Sequence, residues 1–304
     1  LYTYQLKSRQ LNHFDSKQTG LPHNTIYSII HTKDNQIYIG TYNGLCRYVQ
    51  ASGKFENILL PVNRGGSNLF VNSLLEDAAR QCIWIGMEGY LFQYNPTTGE
   101  MKAIEVFHNN SIKSLALDGD ENLLAGTDNG LYVYQNDKEP LQHIIHDSRN
   151  IQSLTNNIIW NIFSDQEHNI WLGTDYGISL SRYNSALQFV PISQITGTGD
   201  GNQFYSLFRD SKGFYWFGGT NGVIRFTHPA GNKHDAIWYR MGDKNYPLSH
   251  NRIRHIYEDR EQQLWIATDG SINRYDYNTH QFVHYNIVDS TGTYNTNWAY
   301  YLFE

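Results

Sequence analysis

The stretch NIWLGTDYGISLSRY, from Asn169 to Tyr183, decides the fold because close variants of it occur six times in the chain. The other copies are QIYIGTYNGLCRY (Gln36–Tyr48), CIWIGMEGYLFQY (Cys82–Tyr94), NLLAGTDNGLYVY (Asn122–Tyr134), FYWFGGTNGVIRF (Phe214–Phe226) and QLWIATDGSINRY (Gln263–Tyr275). Each copy has an aromatic or aliphatic anchor before a small pair of residues. The anchors lie 40 to 49 residues apart, at Tyr38, Trp84, Leu124, Trp171, Trp216 and Trp265. This period is typical of propeller blades, so the repeat indicates a building block and not a site.

Each copy belongs to a longer unit that reads as four short strands. An apolar first strand such as NIIWNIF (157–163) precedes a polar turn, the anchor strand, a glycine-containing hairpin turn and two outer strands. Asn-Gly and Asp-Gly pairs favour the positive φ angles that a two-residue hairpin needs. The sequence therefore predicts an all-β fold, a β-propeller of four-stranded blades. Seven blades are favoured, six complete and one split or incomplete, and a six-bladed propeller is the alternative.

The blade boundaries follow from the repeat. We predict a single β-propeller domain over 1–304, a piece of a longer protein, with blades at roughly 24–60, 68–107, 110–146, 157–192, 202–240 and 251–287. Residues 1–14 match the outer half of a unit, and residues 297–304 match the start of a first strand. We expect these two ends to share the last blade, because closure of a propeller removes exposed strand edges.

Composition and motifs exclude several classes of function. The 304 residues carry a net charge of −6 and only 17% are charged, which argues against a nucleic-acid-binding surface. No apolar run is long enough to span a membrane, so we expect no membrane contact by this chain. No metal-ligand spacing, phosphate loop or nucleophile motif is present, so we expect no metal, no cofactor and no catalytic residue.

Aspartates recur in the turn after the first strand, at Asp77, Asp118, Asp165, Asp210 and Asp259. Catalytic acids occupy one place in a fold, whereas these occupy the same place in five units. Aspartate commonly hydrogen-bonds its own turn backbone. We interpret the five as architectural.

One column of residues in the first strands varies where its neighbours are apolar or small: Tyr27, Asn72, Lys113, Trp160, Tyr205, Arg254 and Tyr300. In a propeller the starts of the first strands lie near one mouth of the channel. If the propeller binds a glycan directly, Trp160 and Tyr205, from adjacent blades, are the best stacking pair, and Arg254 is the best hydrogen-bonding or charge partner. The alternative is that these side chains plug the channel or pack between blades.

Long connections between blades are expected on the same face, at 146–157, 191–202 and 240–251. Loops on a rigid scaffold often carry recognition. They add Arg252 to the candidate ligand residues, with Arg149, Tyr176 and Trp298 as secondary candidates.

The unit N-x-I-x-x-I-x-x-D-x-x-x-x-[IL]-W-[IL]-G-T-x-x-G-[IL], clearest at 157–183 and 251–275, resembles the two-component regulator propeller repeat. Two copies depart from it, with LLAG at 123–126 and IATDG at 266–270. The resemblance covers nearly the whole chain. This repeat is typical of the periplasmic sensor region of hybrid two-component system histidine kinases in polysaccharide-degrading gut bacteria.

In that family two such propellers usually precede an immunoglobulin-like domain, one membrane helix and the kinase. The resemblance implies a non-enzymatic propeller that senses glycan-derived oligosaccharides and regulates polysaccharide utilisation. It also implies the periplasmic region of an inner-membrane protein, and a homodimer formed through the full-length receptor.

Two other functions stay open. The propeller is alternatively a dimerisation or protein-interaction scaffold, with the ligand bound elsewhere in the receptor. A propeller lyase or glycosidase is less favoured, because a glycosidase needs two carboxyl groups placed across one cleft and the sequence displays no such pair.

Overall fold

Antiparallel β-sheets account for nearly all of the regular secondary structure among the described residues of the computed structural model. The structure describes residues 1–5, 10–62, 69–104, 107, 110–135, 142–183, 189–191, 202–227, 235–245, 247–288, 295–296 and 298–304. In this part of the chain six four-stranded sheets follow one another, and in each the strand order follows the chain. The predicted all-β propeller of four-stranded blades is confirmed.

The first half of the chain begins with a hairpin and a short helix, and three blades follow. The hairpin of β1 (Tyr2–Gln5) and β2 (Gln10–His13) precedes the single helical turn α1 (Ser16–Thr19). The first blade comprises β3 (Ile26–His31), β4 (Ile37–Thr41), β5 (Gly44–Val49) and β6 (Lys54–Ile58). The second comprises β7 (Val71–Asp77), β8 (Cys82–Met87), β9 (Leu91–Tyr94) and β10 (Met101–Ile104). The third comprises β11 (Ile112–Leu117), β12 (Leu123–Thr127), β13 (Gly130–Tyr134) and β14 (Gln142–Ile144).

The second half continues the same pattern. The fourth blade comprises β15 (Ile159–Ser164), β16 (Ile170–Thr174), β17 (Gly177–Ser181) and β18 (Phe189–Pro191). The fifth comprises β19 (Phe204–Arg209), β20 (Tyr215–Gly219), β21 (Gly222–Phe226) and β22 (Ile237–Tyr239). The sixth comprises β23 (Ile253–Glu258), β24 (Leu264–Thr268), β25 (Ile272–Asp276) and β26 (Gln281–Tyr285). A short hairpin of β27 (Ile287–Val288) and β28 (Asn295–Thr296) follows.

The chain divides into two compact units, Leu1–Leu115 and Ala116–Glu304, and the division falls inside β11. Within each unit the core lies between neighbouring blades. In the second unit, Trp171 of one blade packs with Phe204 and Phe217 of the next. In the first unit, Tyr38 packs with Val71 in the same way. Burial of such apolar faces is the main favourable term for folding, so each blade depends on its neighbour.

Five of the six anchors are buried, at Tyr38, Trp84, Leu124, Trp171 and Trp216. The repeat predicts that the tryptophan anchors are buried between blades, and for Trp265 this prediction is wrong, because Trp265 is only half-buried. Tyr215 of the following blade covers Trp171, whereas the ring contact described for Trp265 is with Tyr285 of its own blade. An anchor is therefore buried by the blade that follows it.

The turn aspartates hold the anchors, as their recurrence indicates. Asp165 accepts hydrogen bonds from the backbone N–H of Asn169 at 2.8 Å and from Trp171 Nε1 at 2.8 Å. It also accepts one at 3.2 Å from the hydroxyl of Tyr215, in the next blade. The same bond between aspartate and tryptophan joins Asp77 to Trp84, Asp210 to Trp216, and Asp259 to Trp265. These carboxylates are part of the scaffold.

The first strand of each blade is the innermost, because first strands of successive blades contact each other within each unit. Five of these strands contain a β-bulge, and the extra residue is Tyr27, Asn72, Trp160, Tyr205 or Arg254. In the fourth blade the bulge lies between Ile159 and Ile162, which are both buried. Residues three apart lie on opposite faces of a regular strand, and one extra residue returns them to the same face.

Residues 298–304 lie against β23 in the second unit. The backbone N–H of Ala299 donates to the carbonyl of Thr268 at 3.4 Å, and that of Leu302 donates to His255 Nδ1 at 3.1 Å. Asn297, where we place the start of the last blade, lies outside the described residues. That the two ends of the chain share this blade stays a prediction.

Candidate functional site

The variable column of the first strands coincides with the bulges. Bulges commonly re-aim a side chain and occur beside binding sites. In the second unit the bulge residues of neighbouring blades meet, together with side chains from strand ends and from the last segment. We call this group the bulge cluster, and it comprises Trp160, Asp175, Gln203, Tyr205, Arg252, Arg254, Asp269, Trp298 and Tyr300.

Trp160 and Tyr205 form the aromatic side of the bulge cluster. Their ring centroids are 5.3 Å apart with an interplanar angle of 82°, an edge-to-face contact. Asp175 accepts from Trp160 Nε1 at 3.0 Å and from Gln203 Nε2 at 2.6 Å. The Tyr205 hydroxyl donates in turn to Gln203 Oε1. Both rings are half-buried and held by polar neighbours, so they are positioned before any ligand arrives.

Arg254 forms the charged side of the bulge cluster. Its Nε donates to Asp269 Oδ1 at 2.6 Å and a terminal nitrogen donates to Oδ2 at 3.0 Å, a two-point ion pair. Burial lowers the pKa of Arg254, but the hydrogen bond to Asp269 and the nearby Tyr300 outweigh it, and the net pKa is raised. Arg252 lies 3.9 Å from the same carboxylate.

Two charged neighbours connect the two sides of the cluster. Burial raises the pKa of the Tyr205 hydroxyl, and the nearby Arg252 and Arg254 partly oppose that rise. The structure therefore joins Trp160, Tyr205 and the two arginines into one continuous group.

The last segment adds the most accessible rings. Trp298 is 57% exposed and Tyr300 is 39% exposed, and the two meet edge to face at 5.9 Å. The Arg254 guanidinium lies 4.5 Å from the centre of the Tyr300 ring and 5.9 Å from that of Trp298, so it is held between a carboxylate and an aromatic face. A stacking partner for a ligand is available here as well as at Trp160.

The column residues of the first unit have different surroundings. Tyr27 lies among the rings of Tyr42 and Phe70, with centroids 6.5 and 6.2 Å away. The side-chain amide of Asn72 donates to the carbonyl of Ile112 at 3.0 Å, which is a contact between blades. Lys113 is half-buried on β11. The structure therefore brings five of the seven candidate ligand residues into the bulge cluster and places Tyr27 and Lys113 in the other unit.

The secondary loop candidates divide in the same way. Arg149 is 88% exposed and pairs with Asp147 at 3.1 Å in its own loop. Tyr176 is 56% exposed in the hairpin turn that follows Asp175. Most of the connection at 191–202 lies outside the described residues. Tyr176 and Trp298 are thus the secondary candidates placed near the bulge cluster.

Sequence reasoning missed Asp175 and Asp269. Each lies 15 residues after the bulge residue that it binds, directly after the threonine that ends the second strand. The signal was present, because this position differs between the six copies as Tyr42, Glu88, Asp128, Asp175, Thr220 and Asp269. A binding surface on a repeat protein is formed by positions that differ between the copies. This position is a second such column, and it lies next to the first.

Two features are absent from the part of the chain that the structure describes. No helix there is long and apolar enough to cross a membrane. Nor do those residues bring three or more His, Cys, Asp or Glu side chains into an arrangement that would hold a metal ion.

Repeated four-stranded blades with variable residues at their bulges define the chain as a β-propeller of the repeat type. Four segments, 20–43, 153–176, 198–221 and 247–270, match the model of the family described as two component regulator propeller. The chain is therefore built from two-component regulator propeller repeats, as the motif predicted.

Relatives place this repeat in receptor proteins. The chain is 82% identical to the extracellular domain of a protein from B. thetaiotaomicron described as a putative hybrid two component system, with a TM-score of 0.59. The match covers 100% of this chain and 41% of that structure. The chain is also 25% identical to histidine kinase P4 of Formosa agariphila, over 93% of this chain and 21% of that protein. It thus spans less than half the length of both.

A more distant structure shares the fold alone. Virginiamycin B lyase from Staphylococcus aureus is 13% identical with a TM-score of 0.65, over 88% of this chain and 86% of the lyase. At this identity the likeness shows a common propeller architecture and carries no information about chemistry.

Proposed function

We propose that this chain is the ligand-sensing propeller in the periplasmic part of a hybrid two-component sensor histidine kinase, and that it recognises glycan-derived oligosaccharides. The 82% identity to an extracellular domain of a two-component protein supports the receptor role. In this proposal the kinase chemistry belongs to another part of the receptor, and the propeller contributes binding. The signal that follows binding regulates polysaccharide utilisation.

The observation that carries the binding role is the chemistry of the bulge cluster. Trp160, Tyr205, Trp298 and Tyr300 offer aromatic faces and edges, which suit the C–H faces of sugar rings. Arg254 and the polar groups around it offer hydrogen-bond donors and acceptors at the same place. Hydrogen bonds within the cluster hold Trp160, Tyr205 and Arg254 in place, and such preorganisation lowers the entropic cost of binding.

Calorimetry on the complete extracellular region tests this role, with titration of oligosaccharides from plant and host polysaccharides. Trp160→Ala should weaken binding by about 1–3 kcal/mol, because it removes a ring and leaves polar partners unpaired. Trp238→Ala is the matched control, since Trp238 is another half-buried tryptophan in the same unit, on the outer strand β22 beside Arg240. It should leave affinity unchanged.

The competing function is a scaffold for dimerisation or protein interaction. Exposed apolar side chains on the loops, Ile151 at 72% and Met241 at 53%, favour an interaction surface. Under this function Trp160→Ala lowers the melting temperature as much as the loss of a buried anchor such as Trp171 does, and it leaves the ligand response of the intact receptor unchanged. Wild-type affinity in Trp160→Ala and in Arg254→Ala would remove the bulge cluster from the binding site.

A further inference from the structure

The charges in the bulge cluster are already balanced. Its two guanidinium groups, Arg252 and Arg254, lie 3.9 and 2.6 Å from Asp269, and a second carboxylate, Asp175, makes the number of negative charges equal to the number of positive ones. Arg254 and Asp269 are nearly buried, with side chains 16% and 11% exposed. An ion pair removed from water in this way is costly to separate, because each partner would be left as an uncompensated charge.

An acidic ligand therefore meets an occupied guanidinium. Binding a carboxylate or sulfate at two points requires the planar fork of an arginine. Asp269 already receives the Nε and one terminal nitrogen of Arg254, at 2.6 and 3.0 Å. The expectation that Arg254 pairs with a charged ligand group thus requires the displacement of Asp269. The N–H groups of Arg254 that remain suit an uncharged oxygen.

The carboxylates supply hydrogen-bond acceptors for the hydroxyl groups of an uncharged sugar. Asp175 Oδ1 accepts from Trp160 and Gln203, and the described contacts include none to Asp175 Oδ2. An ionised carboxylate has about four acceptor positions, and hydrogen bonds to charged groups are about twice as strong as neutral ones. Hydroxyl groups donate to such oxygens, whereas an anionic group is repelled by them.

We infer that Asp175 and Asp269 are ligand-binding residues that accept hydrogen bonds from sugar hydroxyls, and that they make the bulge cluster select neutral over acidic oligosaccharides. This inference rests on the glycan-binding role proposed above and names the substrate class of that site. Asp175 is hydrogen-bonded to Trp160. When the face of a sugar stacks on the aromatic side chains, Asp175 therefore accepts hydrogen bonds from hydroxyl groups at the edge of that sugar. Asp269 does the same beside Tyr300.

Matched ligand pairs test the inference on the unmodified protein. Each pair consists of a neutral hexose oligosaccharide and the same oligosaccharide with its primary alcohols oxidised to carboxylates. The neutral member should bind at least about tenfold more tightly in calorimetry, the ratio expected when one hydroxyl donor is replaced by a charge. Equal or tighter binding of the oxidised member overturns the selectivity and leaves glycan binding standing. Failure of both members of every pair to bind overturns the glycan-binding role, and this inference with it.

Two isosteric substitutions then test the residues. Asp175→Asn and Asp269→Asn should each weaken binding of the neutral member by about tenfold. Asp269→Asn should also shift the preference toward the oxidised member, because it frees the Arg254 fork. Glu167→Gln is the control, since Glu167 forms an ion pair with Arg209 at 3.0 Å that is more exposed and lies at the opposite end of the inner strand, and it should change neither affinity. Unchanged neutral binding in both Asn variants removes these carboxylates from the site.

Discussion

The fourth blade contains the same chemical pair twice, once at each end of its inner strand. Trp171 Nε1 donates to Asp165 at 2.8 Å, and Trp160 Nε1 donates to Asp175 at 3.0 Å. Trp171 is 0% exposed and the following blade covers it. Trp160 is half-buried on a bulge. The Trp171 pair recurs as a tryptophan–aspartate bond in three other blades. At the two positions of the Trp160 pair, the sixth blade instead has the ion pair of Arg254 with Asp269.

The difference shows how to separate architecture from site in a repeat protein. A bond that every blade needs is selected for packing, so it recurs and is sealed by the neighbour. A bond whose donor changes from blade to blade, on the extra residue of a β-bulge, is not required by the packing of every blade. Partial exposure then leaves its ring available to a ligand. If the two pairs behave in these two ways, substitutions in and around them should change stability by very different amounts.

Removal of the architectural tryptophan should have the largest effect. Trp171→Ala should lower the free energy of unfolding by about 3–5 kcal/mol, because it creates a cavity and leaves Asp165 without one donor. Denaturant unfolding followed by circular dichroism measures this change. An unfolding midpoint like that of the wild type would contradict the assignment of Trp171 to the scaffold.

His255 lies directly after the bulge residue Arg254, on the inner strand of the sixth blade. Tyr301 stacks on its ring at 4.0 Å, and burial lowers its pKa to about 4. Its Nδ1 accepts from the backbone of Leu302, which requires the unprotonated nitrogen.

Because His255 has a pKa near 6.5 in the unfolded chain, that chain takes up the proton first as the pH falls. Stability should therefore decline between about pH 6.5 and pH 4, by at most about 3 kcal/mol for this group. Unfolding curves at several pH values measure this decline. His255→Gln should flatten the profile in this window, and an unchanged profile would show that other groups cause it.

The next largest effect on stability should come from Gly173, where two neighbouring blades approach each other closely. A Cβ added at Gly173 would lie 2.6 Å from the carbonyl oxygen of Phe204 in the next blade. Gly173→Ala should cost about 1–3 kcal/mol of stability through overpacking. The sixth blade has Ala267 at this position, and the corresponding residue of the following segment is the small Ala299. Ala267→Gly should therefore be far milder, and equal thermal shifts in the two variants would show that blade spacing is not the cause.

The smallest effect on stability should come from the half-buried pair. Trp160→Ala should lower the free energy of unfolding by about 1 kcal/mol, because the half-buried ring removes less apolar surface from water than the fully buried ring of Trp171. Thermal melting compared with Trp171→Ala measures the ratio directly. A loss in Trp160→Ala as large as that in Trp171→Ala would place Trp160 in the scaffold and end the distinction between the two pairs.

The sequence by itself determined the blade. Three signals of the blade are local or repeating: the anchor period, the turn aspartates and the hairpin glycines. Each repeats because every blade packs against its neighbour in the same way. The variable column was visible too. The bulge itself was not predicted; the structure shows it, with Ile159 and Ile162 both buried although they are three residues apart on one strand.

Only the tertiary structure decided which side chains meet. Asp269 binds Arg254 because a bulge turns the arginine toward the end of the neighbouring strand, and the spacing of 15 residues has no meaning until the two strands pair. The half-burial of Trp265 was equally hidden, because burial depends on the blade that follows and not on the anchor itself. A repeat dictates the shape of each blade from within, whereas a site is made where the differences between neighbouring blades come together.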